Sequence, residues 1–188
     1  MPNRQFNVYS PSIVVVPREN FHWVLNSAEA PSVTVQPATG GSWPLTASQY
    51  SVTAGTPVAA SVSSSALAGT YTFQCTPPAP NVTSQQIVVA ALDFVTVCST
   101  FTLKPGDYFI WYNNTTSEVT ITPDPDNDDF WPLGSQSHTM GPHGHIALQI
   151  PASAAPDKEY ALVVTFTGGS GCTQNTQPKL IVSGSGME

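Results

Sequence analysis

Charge is what this sequence has least of. Only 9% of its 188 residues are Asp, Glu, Lys or Arg, against about 25% in an average soluble domain. Basic residues number 5 and acidic residues 12, giving a net charge of -7. So few cations make a weak electrostatic match for nucleic acid or an anionic membrane, and neither is expected as a partner. No apolar run is long enough to span a bilayer. The opening residues, Met1 to Phe6, lack the apolar centre of a signal peptide. The expected location is cytoplasmic, unless an export leader has been removed.

Helical periodicity is missing too: no segment keeps a 3.6-residue apolar spacing for three turns. Cysteine is scarce, with only Cys75, Cys98 and Cys172, and no Cys-x-x-Cys spacing occurs. A thiolate zinc site is therefore not expected. An odd number of cysteines cannot pair completely. One disulfide fits an exported protein, and three free buried thiols fit a cytoplasmic one.

Turn formers and β-formers are abundant. Proline (18) and glycine (13) punctuate short alternating segments. Val33 and Val35 alternate with Ser32 and Thr34, as Val119 and Ile121 do with Glu118 and Thr120. Ile13 to Val16 stops at Pro17, Thr70 to Cys75 stops before Pro77-Pro78, and Tyr160 to Phe166 runs into Gly168-Gly169. All of these read as strands.

The sequence also repeats itself. Phe6 to Ser10 parallels Phe94 to Cys98, Pro17 to Trp23 parallels Pro105 to Trp111, and Trp43-Pro44-Leu45 matches Trp131-Pro132-Leu133. The offset is 88 each time (94−6, 105−17, 131−43), and all four tryptophans fall into two pairs at it. Gln86 to Val89 parallels Lys179 to Val182 after a few inserted residues. A constant offset at three anchors points to two like units, 1–90 and 91–188. Each is large enough to bury its own core. The short apolar joint at Ala90-Ala91-Leu92 predicts two units packed against each other.

The order of elements resembles a cupredoxin, the blue-copper fold. An opening strand leads to Pro17-x-x-x-Phe21-x-Trp23, then Asn26, then a strand and a Trp-containing middle section. Ala68-Gly69-Thr70-Tyr71-Thr72-Phe73-Gln74-Cys75 is similar to the family's Gly-x-Tyr-x-Tyr-x-Cys strand, and Ile87-Val88-Val89 closes the unit. The resemblance implies an all-β protein of two tandem cupredoxin-like Greek-key β-sandwich units. It also implies copper ligands, and these are missing. The family's first histidine falls near Ser32 and near Glu118, no His or Met follows Cys75 in 76–80, and the second unit's cysteine position falls near Val164. Serine and carboxylate cannot replace the imidazoles of a copper–thiolate centre. No cofactor is expected, and Cys75 reads as a small buried residue.

Other residues carry possible chemistry. Asp124, Asp126 and Asp128 alternate within 124–129, a spacing suited to a hard cation, although Asp129 stands where a calcium loop needs glycine. The plainer reading is a solvated acidic turn. His138, His143 and His145, with Met140 nearby, are candidate ligands for copper or zinc, or else exposed turn histidines. Trp43 and Trp131 either stack on a ligand or plug their own sandwiches. Asn81-Val82-Thr83, Asn113-Asn114-Thr115 and Asn114-Thr115-Thr116 match glycosylation acceptors and read as Asn-rich turns. No Gly-x-Ser-x-Gly elbow or phosphate-binding glycine loop occurs. Gly169-Ser170-Gly171-Cys172 is a turn with no histidine close in sequence.

The resulting expectation is a non-catalytic binding or assembly protein on a metal-free tandem scaffold. Its partner is an unspecified protein or small molecule, or further copies of itself in a homo-oligomer. The alternatives are a metal-binding protein using the 138–145 histidines or the 124–129 acids, and an enzyme with an unrecognised site between the units.

Overall fold

The computed structural model describes residues 4–38, 40–80, 82, 84–125, 131–134, 137–168, 172 and 177–184. Among them are sixteen strands and no helix. The chain divides into two compact units, Met1–Ala91 and Leu92–Glu188.

Unit 1 holds β1 (Arg4–Asn7), β2 (Ser12–Val15), β3 (Asn20–Val24), β4 (Ser32–Pro37), β5 (Tyr50–Thr53), β6 (Val58–Ser61), β7 (Gly69–Thr76) and β8 (Gln85–Val89). They form two sheets, β1-β3-β6 and β2-β8-β7-β4-β5. The β1/β3 and β2/β8 pairs are parallel and the rest antiparallel. Unit 2 holds β9 (Val95–Thr96), β10 (Phe101–Leu103), β11 (Tyr108–Tyr112), β12 (Val119–Pro123), β13 (His138–Met140), β14 (His145–Gln149), β15 (Lys158–Phe166) and β16 (Lys179–Val182). Its sheets are β9-β11-β14 and β10-β16-β15-β12-β13, with β9/β11 and β10/β16 parallel. Strand for strand, unit 2 repeats the topology of unit 1.

The repetition extends to single residues. Period-two alternation sends Phe21 and Trp23 of β3, and Phe109 and Trp111 of β11, into their cores, all fully buried. Each pair meets edge to face at 5.2 Å, at 80° in unit 1 and 84° in unit 2, a geometry aromatic quadrupoles favour. The turn before each strand needs a left-handed residue: Arg18 (φ 62) in one unit, Gly106 (φ 89) in the other. Arg18 accepts the steric cost that Gly106 avoids. The next residue is a carboxylate that accepts the N–H three residues back, Glu19 from Val16 at 2.9 Å and Asp107 from Lys104 at 2.8 Å.

The units differ in how this carboxylate is held. Glu19 is fully buried and takes Arg4 on both oxygens, from Nε and Nη2, at 2.6 Å each. Arg4 also donates to the Val14 carbonyl at 2.7 Å and lies 4.9 Å from the Phe6 ring centre. In unit 2 the position 88 after Arg4 is Leu92, and Asp107 is partly exposed.

A second difference is a clasp between two loops. In unit 1 the amide nitrogen of Gln85 donates to the Val8 and Ser10 carbonyls at 2.6 and 3.3 Å, and the Tyr9 hydroxyl to the Pro77 carbonyl at 3.3 Å. These bonds tie the β1–β2 loop to the β7–β8 loop. In unit 2 the matching loops are joined by a Cys98–Cys172 disulfide with Cα atoms 5.5 Å apart, and Cys98 stands 88 residues after Ser10. Of the two alternatives the cysteine count left open, one disulfide is the one found, and Cys75 is the free thiol. The loops converge in space from 74 residues apart, a proximity created by the sheets.

Candidate functional site

Cys75 sits on β7 facing the interior. Its thiol donates to the Val8 carbonyl at 3.3 Å, and burial pushes its pKa up to about 11 despite the Gln85 hydrogen bond that lowers it. A small cavity of about 120 Å³ adjoins it, lined by Phe73, Pro78, Ala79, Val82 and Gln85 among others. A copper–thiolate centre needs imidazoles beside the sulfur, and no histidine lines the cavity. In the ladders Val35 pairs with Tyr50 and Cys75, and Ile121 pairs with His138 and Val164. Val164 is therefore the unit 2 counterpart of Cys75. The residues present do not fit a blue-copper site in either unit.

The three candidate histidines are not brought together. His138, on β13, is buried beside Trp111 with ring centres 5.8 Å apart, and its Nε2 has no hydrogen-bond partner. Burial lowers its pKa. His143 is exposed in a turn at φ 52. His145 is exposed on β14, which belongs to the other sheet. Met140 is buried on β13. Asp124 accepts a hydrogen bond from Gln177 at 2.5 Å, whereas Asp126 and Asp128 lie outside the described residues. Among the described residues, no three His, Cys, Asp or Glu side chains converge as a metal site.

Trp131 is buried, edge-on to Tyr160 at 6.1 Å, and offers no open face for stacking. Trp43 is half-buried against its own core and donates to the Ala47 carbonyl at 2.6 Å. His22 is half-buried beside Trp23. Cys172 is in the disulfide and is no nucleophile. Asn113 is fully buried, its amide nitrogen donating to the Ser117 and Gly141 carbonyls at 2.7 and 2.8 Å, so it is no glycan acceptor. Asn114 beside it is exposed. Asn81 and Thr83 lie outside the described residues.

Sequence reasoning missed a cavity of about 280 Å³ at one corner of unit 2, lined by Pro132, Pro151, Ser153, Ala154, Ala155, Lys158 and Tyr160. Its origin is a loop difference. Ser61 of β6 and Gln149 of β14 are equivalent by register, opposite Asn20 and Tyr108 (149−61 = 88). Cys75 and Val164 are equivalent at 89 (164−75). One residue is therefore added between those points. It falls in the connection 150–157, which walls the cavity, against 62–68 in unit 1. In unit 1 the corresponding corner carries two hydrogen bonds: the Tyr71 hydroxyl donates to Leu67 O at 2.7 Å, and Ser63 N to Pro44 O at 2.7 Å. In unit 2 the counterparts Tyr160 and Pro132 line the open space, faced by small alanines. The change of offset from 88 to 89 emerges from the strand ladders and was not marked in the sequence.

Two packed sheets, Greek-key connections and two parallel pairings per unit make the fold all-β and cupredoxin-like. Neither the protein-family models nor the curated proteins match this chain. Solved structures do. It is similar to the copper nitrite reductase from Nitrosomonas europaea at 10% identity and TM-score 0.29, over 98% of this chain and 91% of that one. It is similar to the multicopper oxidase from Campylobacter jejuni at 12% identity and TM-score 0.32, over 96% of this chain and 52% of that one. A Bacteroides ovatus mixed-linkage glucan utilization locus protein, SGBP-B, matches at 12% and 0.28, over 90% and 43%. The topology of each unit, rather than these alignments, carries the fold assignment.

Proposed function

We propose that this chain is a non-catalytic binding protein on a metal-free tandem cupredoxin-like scaffold, with the unit 2 corner cavity as its ligand site. The carrying observation is that cavity, walled by a loop one residue longer than its unit 1 counterpart. A concave, largely apolar pocket with a few polar groups is the usual form of a small-ligand site. The chemistry of the other candidates supports a non-catalytic reading. The Cys75 thiol is buried and protonated, Cys172 is bridged, and His138 is buried away from His143 and His145. The disulfide favours work in an oxidising compartment, in place of the cytoplasmic location expected from the sequence.

The test is a fragment screen by ligand-observed NMR on the full chain and on an Ala155→Trp variant, which adds bulk at an exposed wall position. Fragments should bind the wild type and lose binding in the variant, with unchanged urea midpoints. A screen with no fragment sensitive to Ala155→Trp overturns the cavity assignment. Addition of Cu(II) should produce no thiolate-to-copper absorption band; an intense visible band would overturn the metal-free reading.

A further inference from the structure

We infer that the cavity of unit 2 takes a small monocyclic carboxylate, with the ring against its apolar wall and the carboxylate at Lys158; this rests on the cavity being the ligand site. Size is the first constraint. At about 280 Å³ the cavity is roughly twice the ~150 Å³ space that accepts benzene in an engineered protein core. One ring with short substituents fills it. A bare inorganic anion would leave the apolar wall uncovered.

The lining supplies the second constraint. Pro132, Pro151, Ala154, Ala155 and the ring of Tyr160 give a mostly apolar surface suited to a flat ring. The polar residues of the lining are Ser153 and Lys158, besides the Tyr160 hydroxyl. An ammonium is a donor only, with three N–H groups, so it serves a ligand acceptor in addition to its partner within the protein. No Asp or Glu is among these seven lining residues. Lys158 brings a cationic group to the lining and Ser153 a hydroxyl, and a ligand that uses both carries negative charge and acceptors. The surrounding protein carries a net -7, so recognition depends on this local contact and weakens with added salt.

The experiment compares benzoate with benzamide, and phenylacetate with phenylacetamide, by titration of the full chain at low salt. Each acid should bind roughly tenfold more tightly than its amide, the scale of one charge-assisted hydrogen bond. Lys158→Gln should bring acid and amide to the same affinity, and Lys158→Arg should keep the preference. Equal affinity for acid and amide, with both lost in Ala155→Trp, overturns the carboxylate assignment and leaves the cavity reading standing. Failure of acids and amides alike, while unrelated fragments bind in an Ala155→Trp-sensitive way, also overturns the carboxylate assignment alone. If no compound responds to Ala155→Trp, the cavity reading itself fails.

Discussion

Replacing Arg4 with methionine should destabilise unit 1 by about 3–5 kcal/mol, the usual cost of breaking a buried ion pair from one side. The structure sets the size of this effect. Glu19 has no exposed surface and meets Arg4 through two bonds of 2.6 Å, with Val16 N as third donor at 2.9 Å. With the guanidinium gone, the carboxylate keeps the Val16 backbone donor and loses the Arg4 countercharge in a position water does not reach. It must then remain charged at a desolvation cost or take up a proton. The double variant Arg4→Met/Glu19→Gln should recover most of the loss, because two neutral side chains leave no stranded charge. Asp107→Asn in unit 2 is the internal control: its partner is a single backbone N–H at 2.8 Å in a partly exposed turn, and about 1 kcal/mol or less is expected. The assay is urea unfolding of the full chain followed by fluorescence and far-ultraviolet circular dichroism, fitted with separate transitions for the two units. A cost below about 1 kcal/mol for Arg4→Met, or a double variant no better than the sum of the singles, would refute the reasoning.

Two further predictions concern the cysteines and His138. Native protein should show almost no thiol reactive toward a neutral-pH alkylating agent. Unfolding should expose one thiol and reduction three, and the Cys98→Ser/Cys172→Ser variant should lose about 2–4 kcal/mol, as expected for opening a long covalent loop; two or more reactive thiols in unreduced protein would contradict the pairing. For His138, burial lowers the folded-state pKa below the ordinary value of 6.5. The unfolded chain therefore binds the proton first as pH falls, so stability is full above about 6.5 and declines as pH drops toward the folded-state pKa. His138→Leu should flatten that slope in unfolding curves measured across this range, and an unchanged slope would show that other groups dominate it.

Much of the fold was legible because strand burial follows a period of two and the repeat doubles every signal. Trp23 and Trp111 pointed to equivalent strands, and the constant offset fixed which segments correspond. The ladders extend that offset to Tyr50 and His138, where side-chain identity gave no hint. The disulfide was not legible, because residues 74 apart in sequence meet only once two loops are laid side by side. The histidine group misled for the opposite reason. His138 and His145 are close in the chain but go to different sheets, so sequence proximity did not become spatial convergence. The cavity depends on one added residue beside small side chains. Ala152 to Ala155 carry no chemistry that would mark a site; only their placement opposite Tyr160 does.

The two clasps also give the units unequal mechanical character. If the chain is pulled by its ends, the Gln85 and Tyr9 hydrogen bonds of unit 1 can break one after another, and the whole unit can be drawn out. In unit 2 the load passes through the Cys98–Cys172 bridge and bypasses β10 to β15. A separation of 74 residues at about 3.4 Å each hides roughly 250 Å of contour length from the force. Under tension the protein is then a compliant element in series with a nearly inextensible one, and the unit 2 cavity lies inside the shielded segment.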